Sequence, residues 1–148
     1  MSRSGYSDDC DDEVPVALYR QAVRRATTGY RGQHLLRRLR DALDAMPVKR
    51  LIVGNVQDES GQVCALGALD PTAPKYDEDD LDDYEHPRKL AEHFHIAPAL
   101  ASEIVYMNDE YASWRLKDET PEERWKRMRE WVQAQIVPAD DESLKGQP

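Results

Sequence analysis

The segment Gly61-Gln-Val-Cys-Ala-Leu-Gly-Ala-Leu-Asp70 limits what this chain can fold into more than any other. In a polypeptide that is 33% charged, a run of small and branched apolar residues with no charge before its last residue has to lie inside, with the polar remainder arranged around it. Ala65, Gly67 and Ala68 interleave with Val63, Leu66 and Leu69, a mixture suited to a place where other backbone segments approach closely. Val63 to Leu69 can be the return strand of a hairpin, yet Ala, Leu and Gly are poor strand formers, and a short buried helix fits at least as well.

On either side the periodicity is helical. Val16, Tyr19, Val23 and Ala26 recur at three- and four-residue spacing behind Pro15, and Thr27-Thr28-Gly29 ends that run. Leu35, Leu36, Leu39, Leu43 and Met46 form a second apolar stripe, with arginines and aspartates on the other face and Pro47 as the stop. Leu51-Ile-Val53 and the turn residues from Gly54 to Gly61 predict a short extended stretch or hairpin. Helical spacing returns from Pro87 with Leu90 and Phe94, turns a corner at Ile96-Ala-Pro98, and continues through Leu100, Ile104 and Met107. The last helix has the best-marked start: Thr120 as N-cap, Pro121 next, and Glu123 at the capping-box position. Trp125, Met128, Val132 and Ile136 then make its stripe, with Trp131 alongside. The expectation is a mostly α protein, a single compact helical domain of four to five helices over 14–138 with a short hairpin or extended segment near 51–63. The acidic, Ser/Asp-rich residues 1–13 and the polar residues 139–148 read as disordered tails.

Charge divides the chain. The net charge of −9 argues against general affinity for nucleic acid. Between Arg20 and Arg50, however, nine Lys/Arg face two Asp, a local balance of +7, and between Asp70 and Glu85 eight Asp/Glu face Lys75, a balance of −7. These two poles supply the candidate partner-binding residues: Arg37, Arg38 and Arg40 in one, Asp77, Asp79, Asp80, Asp82 and Asp83 in the other. The two can also pair with each other, or simply face water, where exposed ion pairs contribute on the order of 0–1 kcal/mol each.

No stretch carries the pattern of a reaction centre. His93 and His95 lie two apart, which on a helix points them in different directions, and no Cys or third His stands at a zinc-ligand spacing. In the acidic segment Leu81 occupies a calcium-ligand position and no Gly makes the turn, so the EF-hand pattern fails. Cys64 has apolar flanks that raise a thiol pKa. Gly61 and Gly67 lack the following Lys-Ser/Thr of a phosphate loop. No catalytic residue, metal or cofactor is expected. Two cysteines, Cys10 and Cys64, make no disulfide framework, and with no signal-peptide pattern or membrane-length apolar run a cytoplasmic location is expected by elimination. Pro87 to Tyr106 has the rhythm of a helix-turn-helix, but its second helix offers no Lys or Arg from Ala97 to Glu110 and would repel the phosphates it should meet.

Three blocks in order, Gln62-Val-Cys-Ala-Leu-Gly-Ala-Leu69, Phe94-His-Ile-Ala-Pro-Ala-Leu-Ala-Ser-Glu-Ile-Val-Tyr-Met-Asn-Asp-Glu110 and Glu119-Thr-Pro-Glu-Glu-Arg-Trp-Lys-Arg-Met-Arg-Glu-Trp-Val132, resemble a set of small bacteriophage and prophage proteins. The resemblance covers about Arg31 to Ile136 and brings no activity or catalytic residue with it. It implies a phage-associated accessory role, in which small acidic proteins bind and block a host protein. The expected function is therefore non-enzymatic protein–protein binding through charged surfaces, possible inhibition of a host protein included. The alternative is a helix-turn-helix-like DNA-binding regulator using the Pro87 to Tyr106 corner and the arginines from Arg37 to Arg40.

Overall fold

The computed structural model describes residues 13–75, 85–110 and 118–138. Both expected tails lie outside them, apart from Glu13, as does the acidic stretch 77–84. Six helices follow in order among the described residues: α1 (Glu13–Thr28), α2 (Tyr30–Ala45), α3 (Ala65–Leu69), α4 (Glu85–Phe94), α5 (Pro98–Asp109) and α6 (Pro121–Gln135). One isolated antiparallel bridge, Gln57 with Val63, is the only β-pairing among these residues. The chain is mostly helical, with its extended segment where the sequence predicts one.

Helix α2 is the spine. Leu35, Leu36, Leu39 and Leu43 are each at most 1% exposed, and their burial contributes roughly 1.5–3 kcal/mol apiece. This stripe meets α6, α3 and α1. From α6 it receives the buried Met128 and Val132, with Trp125, Trp131 and Ile136 half-buried at the margin. Gln33, 1% exposed, ties three helices together: its amide donates to Thr27 O (2.7 Å) and Gln135 O (2.9 Å), and its Oε1 accepts from Val137 N (2.8 Å). At the other end of α2, Lys49 Nζ donates to the carbonyls of Asp44 and Met46, where a cation also complements the helix dipole. The ammonium stands 5.4 Å from the centre of the Trp125 ring, whose Nε1–H donates to Leu43 O (3.1 Å).

The central apolar segment turns out to divide. Up to Cys64 it is extended, with Ile52 N donating to Val63 O (2.9 Å) and Cys64 N donating to Val56 O (3.1 Å). Beyond Cys64 it coils into α3, where Ala68 N donates to Cys64 O (2.9 Å). Gly67 explains why a helical turn fits here: a Cβ at that position would lie 2.1 Å from Val56 O, so α3 rests directly on the neighbouring backbone. The turn before it is built on Asp58, whose Oδ1 accepts from Ser60 N (3.0 Å), Ser60 Oγ (2.8 Å) and Gln62 N (2.9 Å). Gly61 closes it at φ +86°, a conformation costly for any other residue.

Helix α5 is enclosed by α4, α1, α3 and α6. It buries Leu100, Ala101, Ile104, Met107 and Asn108. The corner from α4 passes through His95 at φ +57° and closes with Ile96 N donating to Ala91 O (3.0 Å). Helix α6 opens with the complete capping box: Glu123 N donates to Thr120 Oγ1 and Thr120 N to Glu123 Oε1, both at 3.1 Å, an arrangement contributing about 1 kcal/mol.

Candidate partner-binding surface

The arginines of the basic pole separate into two groups. Arg37 and Arg40 are half-buried and engaged: Arg37 Nη2 donates to Val137 O (3.2 Å) and Arg40 Nε to Asp41 Oδ1 (3.2 Å). Arg38 is exposed, as are Arg20, Arg24, Arg25 and Arg31. Among the described residues none of these five makes a side-chain ion pair. Sequence reasoning singled out only Arg38 of this group. The i, i+4 spacing of Arg20 and Arg24 on α1, and the seven-residue spacing of Arg31 and Arg38 on α2, were the signal for the others.

Apolar side chains stand beside these charges. Val16 (44%), Leu18 (53%) and Tyr30 (51%) are exposed on the same helix pair. The Tyr30 ring stacks on His34, with centroids 6.1 Å apart and planes 11° from parallel. Between α1 and the end of α6 runs a groove of about 380 Å³, edged by Arg20 and Arg24 and floored in part by Val23 and Val137. Guanidinium groups mixed with an exposed aromatic ring and aliphatic side chains are the composition of protein-binding surfaces.

The acidic candidates Asp77, Asp79, Asp80, Asp82 and Asp83 lie outside the described residues. The ends of that pole are within them, and both are occupied locally. Asp70 accepts from Thr72 Oγ1 (2.6 Å) and meets His93 Nε2 at 2.7 Å. The Thr72 hydroxyl first, and then His93, hold its carboxyl down at about 2. Glu85 pairs with Arg88 one turn along α4.

His93 bonds Asp70, whereas His95 is exposed in the left-handed corner, so the two rings do not converge. Among the described residues no three His, Cys, Asp or Glu side chains gather as a metal site. Gly61 belongs to the Asp58 turn and Gly67 to the backbone contact with Val56, so they form no common loop. Burial pushes the Cys64 thiol up to about 11, against the N–H groups of Gly67 and Leu66, which act in the other direction. At pH 8 roughly one Cys64 thiol in a thousand is then ionised, far below a free cysteine. In the Cys10→Ser protein, modification by a thiol-specific disulfide reagent at pH 8 should accordingly be slow until denaturant is added. Rapid stoichiometric reaction of the folded protein would contradict this placement of Cys64.

Asn108, 2% exposed, is a residue that the sequence does not single out. Its Nδ2 donates to Ile52 O (2.9 Å) and Asp109 Oδ1 (2.7 Å), and its Oδ1 accepts from Ala65 N (3.1 Å). It fastens α5 to the extended segment and to the first turn of α3. Burial raises the carboxyl of the adjoining Asp109, which the Asn108 amide partly offsets.

Among the described residues no helix is long and apolar enough to cross a membrane. Comparison with family models, with curated proteins and with solved structures finds no match to this chain.

Proposed function

We propose that this chain is a phage-like accessory protein that acts without catalysis, by binding an acidic surface of another protein through the exposed face of α1 and α2, with inhibition of a host protein as the consequence. The observation that carries the reading is the set of five exposed guanidinium groups, at Arg20, Arg24, Arg25, Arg31 and Arg38, without internal ion pairs among the described residues and beside exposed Val16, Leu18 and Tyr30. Arginine in this setting binds carboxylates bidentately, and rim charges steer association over distances that salt screens.

The DNA-binding alternative draws less support. Its second helix, α5, is packed against four neighbours, and Glu103 on it accepts a hydrogen bond from Tyr19 OH (3.1 Å).

The test uses the full chain and a triple charge reversal, R24E/R31E/R38E, as baits for host lysate at low and high ionic strength. A host protein should be retained by the native chain at low salt, and lost at high salt and on the variant. Its affinity for the variant should be lower by about tenfold or more. Failure to retain any salt-sensitive protein would sink the reading. A gel shift of random duplex DNA by the native chain would transfer support to the regulator.

A further inference from the structure

A second feature lies apart from the α1–α2 face. Between the end of α2, the Asp58 turn and α3 opens a cleft of about 500 Å³. Its walls include Pro47, Val48, Val63 and Pro71, and Val48 is 60% exposed. Ser60, Gln62 and Arg50 are its polar lining. The guanidinium of Arg50 makes no hydrogen bond among the described residues, and its Nε is buried with none. Arg50, its side chain 39% exposed, forms a long ion pair with Glu122, Nε to Oε1 at 3.7 Å, which is beyond hydrogen-bond length.

A partly exposed guanidinium that makes no hydrogen bond among the described residues, beside an apolar wall, suits an occupant with a carboxylate attached to an apolar body. The Ser60 hydroxyl is committed, donating to Asp58 Oδ1 (2.8 Å) and accepting from Gln62 Nε2 (3.4 Å), but the Gln62 amide keeps its Oε1 and one N–H, which suits the N–H and C=O groups of a peptide better than an aliphatic acid. The volume is that of a site for a few residues of chain.

We infer that this cleft binds the free C-terminus of a partner polypeptide whose last side chains are apolar, with the terminal carboxylate on Arg50 and the peptide backbone along Gln62. The site is independent of the arginine face of α1 and α2, so either can fail without the other.

The experiment is an NMR titration of the full-length, isotopically labelled protein with the tripeptide Ala-Leu-Leu as the free acid, its C-terminal amide, and hexanoate. With the free acid, amide signals of Val48, Gly61, Gln62, Val63 and Ala68 should move together. The amidated peptide, and Arg50→Gln with the free acid, should each bind about tenfold more weakly or worse, the loss of one charge-assisted bidentate contact. The comparison of acid with amide is made on the native chain, so it stands even if the Arg50 variant misfolds. No movement at these residues, equal binding of acid and amide, or binding of hexanoate as strong as that of the peptide would each overturn the proposal.

Discussion

Glu119→Gln should destabilise the protein by about 3–5 kcal/mol, the range for removing one member of a buried ionic cluster. The Glu119 side chain is 2% exposed, between Arg124 (13%) and Arg127 (14%). Arg127 grips it bidentately, Nε to Oε2 at 2.6 Å and Nη2 to Oε1 at 3.1 Å, and Arg124 Nε approaches Oε1 at 3.3 Å. Both arginines also reach across the fold: Arg127 Nη1 donates to Met107 O (2.6 Å) at the end of α5, and Arg124 Nη1 to Leu51 O (2.8 Å) in the extended segment. Removing the carboxylate leaves two guanidinium groups in a poorly solvated place without the charge that joins them. Because a domain of this size has a total stability of only about 5–15 kcal/mol, the variant should unfold at far lower urea concentration. If uncompensated charge is the cause, adding Arg127→Met should restore part of the loss, since removing both partners is less costly than removing one. A loss under about 1 kcal/mol for Glu119→Gln would show that water reaches this cluster.

Gly67→Ala should cost about 2–3 kcal/mol, even though alanine is ordinarily the better helix residue by nearly 1 kcal/mol. The added Cβ would sit 2.1 Å from Val56 O and 2.9 Å from Val63 Cβ. The nearest obstacle is backbone, so α3 and the extended segment must separate, opening the core at Leu66 and Val56, each 1% exposed. Gly54→Ala is the control. At φ +89° with no atom within 4 Å of a new Cβ, it carries backbone strain and no clash, of order 1 kcal/mol. Chemical denaturation of the two variants separates close packing from conformational strain, and an equal or smaller loss for Gly67→Ala would mean that α3 does not rest on Val56.

These two sites differ in how far they could be read beforehand. Gly67 lies in a segment whose small residues announced close backbone approach, although not which backbone. Glu119 adjoins a recognisable cap, Thr120 to Glu123, but nothing in the residue order shows that it lies under two arginines of the following helix. The same holds for the basic pole. Its existence follows from counting charges, and Asp41 beside Arg40 is a neighbour in sequence, whereas the engagement of Arg37 depends on where Val137 stands.

What the residue order determined by itself is local. Apolar stripes at helical spacing, Pro47 and Gly29 as stops, and the Thr120 cap mark the helices because backbone preference and the apolar pattern act within a few residues. Tertiary structure decided the rest: that Val63 to Leu69 divides at Cys64 into an extended half and a helical half, that Asn108 and Gln33 direct their amides across the core, and that Arg50 stands beside a cleft held only by a long ion pair to Glu122. Each of these depends on which polar group meets which partner at about 3 Å, and such meetings join residues as many as 104 positions apart.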